Sequence, residues 1–403
     1  MRMVLPRLRP SLDAYPVRVN GRDFVALHDP EGVADSPVVI PSRAFLIATL
    51  LDGRRDLRDI QVEYARWSGG DLLFSWDLQR LIDDLDRHGL LESETLQARR
   101  EAIEAAFRAA PVRQPAHAGT AYPADPDALR KTLAGHLAEV RTEELADLRP
   151  RGIIAPHIDL ARGGGCYGWA YAALAPHLPP ACLLLGVAHA APPTPVVLTA
   201  KPFATPLGEL PVDGVAVDYL QERLGDLTVH EITHRTEHSL EFQMVFLRAI
   251  AGDRPVAVVP LLVSAFERWV PPGRTPRDVP ELERVVGAIC DLVRRRDGGM
   301  AVIAGVDFSH VGPRFGDREP PGPVLQSRTS VRDREVLDAI VQGDAEAFWQ
   351  RATADGNRQR IDALSAVYVT LRALAPTCGR LLRYGQADDP AGGIVSFAAV
   401  ALL

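Results

Sequence analysis

Three histidines share one position relative to the local pattern. His157 ends the run RGIIAPH, His189 ends CLLLGVAH, and His310 follows AVIAGVDFS. Each lies just past a short apolar stretch that reads as a strand. In open α/β sheets the carboxyl ends of strands converge on the crevice where ligands bind. Imidazoles projecting from rigid elements into one cleft are what a divalent metal needs. A fourth, His238, opens the amphipathic stretch HSLEFQMVFLRAI, with Glu241 three residues on and so on the same face. The dipole at a helix N-terminus lowers an imidazole pKa, favouring the neutral form that a general base or a metal ligand requires. One histidine at a strand end is more often a satisfied polar residue than a ligand, so the argument rests on the set. His117, His136, His177, His230 and His234 lack that placement and read as surface or structural residues.

Other chemistries fall away. The segment GGGCYG (Gly163 to Gly168) formally fits G-x-G-x-x-G, but its glycines stand well beyond the strand. About twenty residues on there is no acid to hold a ribose, so dinucleotide binding is rejected. There is no phosphate-binding G-x-x-x-x-G-K-[ST] loop and no G-x-S-x-G elbow. Ser309 and His310 are neighbours on one strand, so they point to opposite faces and make a poor nucleophile–base pair.

The elements that must position these residues form two patterns. From residue 115 to residue 403, strand-like runs at 152–155, 182–187, 256–263, 300–306, 381–384 and 394–402 alternate with helical stretches. Those stretches lie at 128–140, 167–178, 238–250, 281–296 and 361–374. Such alternation predicts an α/β fold with a central, mostly parallel sheet flanked by helices. Residues 15–95 are different: β-like runs at 17–19, 24–27 and 38–40 precede helical stretches at 42–53, 56–70 and 75–93. Strands followed by three helices predict a small winged-helix-like α+β domain. A charged, Ala-rich helical linker is expected over 96–114.

With 403 residues and 47% hydrophobic content the chain can bury more than one core. A net charge of -7, with Arg interspersed among Asp and Glu, argues against a nucleic-acid surface. The four cysteines show no short pairing, which favours reduced thiols over a disulfide framework or a zinc ribbon. No apolar run is long enough for a membrane span or a signal peptide, so a cytoplasmic protein is expected.

The ordered segments AGTAYPADPDALRKTL, APHIDL, FATPLGELPVD, EHSLEFQMVFL, DFSH and VSFAAVALL resemble those of the Memo family, including its AmmeMemoRadiSam system protein B members. The resemblance runs from about residue 117 to the C-terminus. It implies a fold similar to class III extradiol dioxygenases, which hold non-haem iron with two His and a carboxylate. In Memo proteins the corresponding pocket has two His and a Cys with a further His beside them. By motif, His157 and His189 fall on the two ligand positions, and His238 falls on the additional His, the acid/base of the dioxygenases. Ser309 falls where some members carry the Cys. A hydroxyl is a poorer ligand than a thiolate for soft metals, so the third contact stays open between Ser309 and Asp307, His310 or Glu241. Asp159 and Arg162, in PHIDLARGGG, depart from the family pattern and add charge that could pair internally or bind a carboxylate-bearing substrate.

The implied function is metal-dependent redox or dioxygenase-like chemistry, with iron as first choice of divalent metal and copper or zinc behind it. A non-catalytic peptide- or protein-binding scaffold that keeps the pocket is the rival. A hydrolase using metal-activated water is a third class. In the N-terminal region, LLDGRRDLRDI and LIDDLDRHGLLE resemble PqqD-like domains. That resemblance implies a peptide or protein substrate and a radical SAM partner enzyme.

Overall fold

Asn20 and Gly21, with φ of 49° and 75°, make the two-residue turn that folds residues 13–28 into a hairpin. The computed structural model describes residues 4–29, 31–34, 37–390 and 392–403. It divides into two units, Met1–Ala110 and Pro111–Leu403. In the first unit, β1 (Arg7–Leu8) is followed by the hairpin strands β2 (Asp13–Val19) and β3 (Arg22–His28) and by β4 (Val38–Pro41). The last three form an antiparallel sheet in the order β2-β3-β4. Helices α1 (Ser42–Ala48), α2 (Leu57–Trp67) and α3 (Ser75–Arg87) come next, then β5 (Leu91–Glu92), which pairs with β1, and α4 (Glu94–Ala109). Asp56 and Asp59 form a capping box at the start of α2. Leu78, Ile82 and Leu85 of α3 face a core that also holds Leu27, Ile47, Ile60 and Tyr64.

The second unit begins with α5 (Pro126–Ala138), β6 (Gly152–Ala155), α6 (Leu160–Leu174) and β7 (Ala181–Val187). Short strands β8 (Val196–Leu198), β9 (Phe203–Thr205) and β10 (Gly208–Leu210) precede α7 (Gly214–Leu224), α8 (His238–Ala251) and β11 (Ala257–Val263). Then follow α9 (Pro280–Arg295), β12 (Met300–Gly305), β13 (Asp307–Val311), α10 (Pro323–Val341) and α11 (Ala345–Thr353). The chain closes with α12 (Leu364–Leu374), β14 (Gly379–Asp389) and β15 (Gly393–Leu402).

Eight of these strands form one sheet in the order β13-β15-β6-β12-β7-β11-β8, with β14 also paired to β15. The centre, β6-β12-β7-β11, is parallel. Strand β15 is antiparallel to β6, and β13 and β14 are each antiparallel to β15, so they run with the centre. Only β15 and β8 oppose it, giving the mostly parallel sheet flanked by helices that the alternation predicts. Every residue of β6, β7, β12 and β15 is buried because helices cover both faces, which is why these strands read as unbroken apolar runs.

Some elements carried no expectation. α7, α10 and α11 lack the long apolar stripe of α9, while the strand expected to carry Ser309 and His310 proves to be a separate, short and polar one, β13, set off from β12 after Gly305. The glycines of GGGCYG lie inside α6. A Cβ on Gly164 would stand 2.2 Å from the His136 ring, and one on Gly168 2.3 Å from the His136 carbonyl oxygen, so they serve close packing of α5 on α6. Among the described residues no helix is long and apolar enough to cross a membrane.

Candidate metal centre

Strands β6 and β7 both border β12, so their carboxyl ends stand about two strand spacings apart, roughly 10 Å. His157 follows β6 by two residues and His189 follows β7 by two, and their rings fill that gap with centroids 5.3 Å apart. His238 is the first residue of α8. Its ring lies 5.4 Å from that of His157 and stacks on His189 at 4.8 Å. One nitrogen from each of the three imidazoles lies within 4.8 Å of the others, a geometry that could hold a metal ion. His157 sits at the floor, buried, while the His189 side chain is 37% exposed and opens the site to solvent.

Helix α8 reaches this position because two strands lack side chains beneath it. A Cβ on Gly186 of β7 would come within 2.7 Å of the Ser239 hydroxyl, and one on Gly305 of β12 within 2.5 Å of the Ser239 carbonyl oxygen. The contact is then stitched by Ser239 Oγ, which accepts from the Val187 N–H (2.9 Å), and by Gln243, which donates to the Pro156 carbonyl (2.7 Å).

The tautomers follow from the partners. His157 Nδ1 faces the Gly305 carbonyl at 3.2 Å, and a carbonyl only accepts, so Nδ1 carries a proton. His189 Nδ1 lies 3.0 Å from both oxygens of Glu237 and donates there. Each ring therefore turns Nε2 inward, toward Asp362. Asp362 Oδ2 lies 3.1 Å from His157 Nε2, 3.3 Å from His189 Nε2 and 3.9 Å from His310 Nε2. Asp307 also faces His157, accepting its backbone N–H at 3.0 Å and placing Oδ2 3.6 Å from Nε2.

The electrostatics are those of clustered acids and imidazoles. Burial alone would lower the His157 pKa, but Asp307 and Asp362 carry it up to about 9. The packing around His189 acts in the same downward sense, and Glu237 and Asp362 hold it well above its usual value. Glu237 stays ionised against burial because His189 is beside it. Asp362 is likewise held well below the usual carboxylate range, against burial, by His157 and His310. His238 goes the other way: burial, reinforced by the neighbouring imidazoles, pushes it down to about 3 despite Glu237, so it is neutral near pH 7.

The remaining sequence candidates have other occupations. Ser309 is fully buried and donates to Asp333 Oδ1 (2.5 Å), with Gln359 Oε1 at 3.1 Å. It points away from the imidazoles, while His310, on the opposite face of β13, turns toward Asp362. Glu241 is buried in an ion pair with Arg113 and accepts from the N–H groups of Ala116 and His117 and from the Tyr122 hydroxyl. Arg113 in turn donates to the carbonyls of His234 and Glu237, fixing the turn that delivers His238. Asp159 caps α6 and pairs with Arg162 at 2.5 Å, both partly exposed. Asp362 and Glu237 were not singled out by the sequence. Each is an acid at the start of a helix, where a capping role is the ordinary reading; the signal for Glu237 was its adjacency to His238.

Imidazoles and carboxylates at the carboxyl ends of a mostly parallel sheet define an α/β protein with a candidate metal centre. The Memo-like protein family model matches residues 113–401. The chain belongs to that family. It is 31% identical over 397 residues to a MEMO1 family protein of Aquifex aeolicus (strain VF5), covering 97% of this chain and 99% of that one. A MEMO1 family protein of Thermus thermophilus is 33% identical over 334 residues (82% of this chain, 93% of that one). One from Methanopyrus kandleri is 27% identical over 302 residues (72% and 98%).

Proposed function

We propose that this chain is a metal-dependent enzyme of redox or dioxygenase-like type, its divalent metal held by His157 and His189. Iron is the first choice, with copper and zinc behind it. The observation that supports this is the convergence of three imidazoles, one buried and one open to solvent, within 4.8 Å. The donor set fits such an ion: nitrogen ligands whose tautomers are fixed by the Gly305 carbonyl and the Glu237 carboxylate, with acids beside them. When bound, the metal supplies a Lewis-acidic, redox-active centre to which substrate can be presented. The protein's own part is orientation and proton handling. Glu237 holds His189 in register, and His238, neutral and partly exposed, takes or returns a proton on the substrate.

Elemental analysis of protein purified without added metal, wild type beside His157→Ala/His189→Ala, tests the reading. Near-stoichiometric iron, copper or zinc that the double variant lacks is the expected result. Absence of metal from both, even after anaerobic reconstitution, overturns it in favour of a binding scaffold. The first unit extends the proposal to partners: it takes a peptide as an added edge strand, on behalf of a radical SAM partner enzyme. Supporting this, β2 and β4 are the outer strands of its sheet, and Phe74 and Trp76, stacked at 4.5 Å, are exposed.

A further inference from the structure

We propose that Asp362, from the segment leading into α12, is the carboxylate ligand that completes the His157–His189 centre, in place of the third contact expected from Ser309. The assignment rests on the metal reading above and deepens it.

Four observations carry it. First, Oδ2 of Asp362 bridges the two inward-facing nitrogens at 3.1 and 3.3 Å. Ligand bonds of 2.0–2.2 Å place neighbouring donor atoms about 3.0–3.4 Å apart in octahedral or tetrahedral arrangement, and these two separations fall in that range. Second, the other oxygen, Oδ1, is buried with no hydrogen-bond partner. A buried acceptor left without a donor is costly, and a cation beside the carboxylate removes that cost. Third, Asp362 Oδ2 also lies 3.9 Å from His310 Nε2, and Asp307 brings Oδ2 to 3.6 Å from His157 Nε2, so two carboxyl groups face the same imidazoles. Fourth, of the alternatives, Ser309 and Glu241 are engaged elsewhere, and Asp307 and His310 each have one side-chain atom committed, His310 Nδ1 facing the Phe308 and Arg360 carbonyls. Ser309 is committed to Asp333, whose second oxygen accepts from Tyr384 at 2.7 Å, and Glu241 to Arg113. Asp307 gives one oxygen to the His157 N–H.

The replacement has a chemical consequence. Two imidazoles and a carboxylate leave open positions and suit ferrous iron, whereas a thiolate at the third position would favour softer ions. The centre is therefore expected to take Fe(II) and its spectroscopic substitute Co(II) ahead of Cu(I).

The test is titration of metal-free full-length protein with Co(II) and, anaerobically, Fe(II), followed by calorimetry and by the visible Co(II) absorption. The variants are Asp362→Asn, Asp362→Glu and Ser309→Ala, with thermal unfolding recorded for each. Asp362→Asn is expected to weaken binding at least tenfold and to change the Co(II) spectrum. Asp362→Glu should recover part of the affinity, and Ser309→Ala should leave affinity and spectrum within twofold of wild type. Wild-type binding unaltered in Asp362→Asn, or lost to the same degree in Ser309→Ala, overturns the ligand assignment alone. Failure of wild type to bind either ion overturns the assignment together with the metal reading beneath it. Should Asp362→Asn not fold, an Asp362→Glu protein that folds but binds with neither partial affinity nor an altered spectrum overturns it as well.

Discussion

Glu237 concentrates two functions in one side chain, since its carboxylate accepts from His189 Nδ1 and caps α8 through the Ser239 N–H. Glu237→Gln keeps the shape but removes the charge that fixes the imidazole, and such partners typically contribute ten- to a hundredfold to metal affinity. Calorimetric titration with Co(II) should show a loss of that size in a protein that still folds. Glu241 belongs to stability instead. Leaving Arg113 buried and unpaired in Glu241→Gln should cost about 3–5 kcal/mol at pH 7, read by urea denaturation. Burial opposes ionisation of Glu241, but Arg113 holds its folded pKa below the ordinary 4.5. Its contribution is therefore full above about pH 4.5 and is lost as pH falls below that value toward the folded pKa. The acid limb of wild-type stability should be steeper than that of the variant, and equal slopes would remove Glu241 from the account. Of the three converging histidines, His157 and His189 were legible because each closely follows an apolar run, and His238 because it opens an amphipathic stretch. Asp362 was not, because it enters from a helix start on the far side of the crevice, and no sequence spacing links positions 157, 189 and 362.

At the scale of elements, the buried strands and the helices beside them could be read because complete burial leaves an unbroken apolar signature in β6, β7, β12 and β15. That β13 is a strand separate from β12 was not legible, because its five residues include Asp307, Ser309 and His310, polar groups satisfied by tertiary partners that the local pattern cannot show. The seating of α8 was equally invisible, since it depends on two glycines far apart in sequence. Gly305→Ala tests it. The new Cβ would lie 2.5 Å from the Ser239 carbonyl oxygen and 2.9 Å from the Gln243 amide nitrogen, so helix or strand must shift. Overpacking of this kind costs about 1–3 kcal/mol. The variant should melt lower, and because His238 rides on the first turn of α8, its Co(II) spectrum should change even where the ion still binds. A lowered melting temperature with an unchanged spectrum would mean that the helix start is held by Arg113 and Glu237 alone.

Across the whole molecule, the chain brings two units whose roles need not be coupled. The candidate centre draws all its residues from Pro111–Leu403, and the family match lies within the same span, residues 113–401. The Methanopyrus relative aligns over 98% of its own length while covering 72% of this chain, so a protein of about the second unit's length exists on its own. The Aquifex relative aligns over 97% of this chain, and the first unit is therefore a shared addition to the family domain. The second unit also has its own buried clusters on both faces of the eight-stranded sheet, including Leu183 and Val302 on one and Ile153 and Phe246 on the other. A protein beginning at residue 111 should accordingly fold cooperatively and bind Co(II) with the stoichiometry, affinity and spectrum of the full chain, as measured by calorimetry and absorption. If peptide capture resides in the first unit, the same truncation should abolish capture while metal binding persists. A truncated protein that folds but loses the metal would instead make the first unit part of the centre's architecture, and the two roles would have to be treated as one.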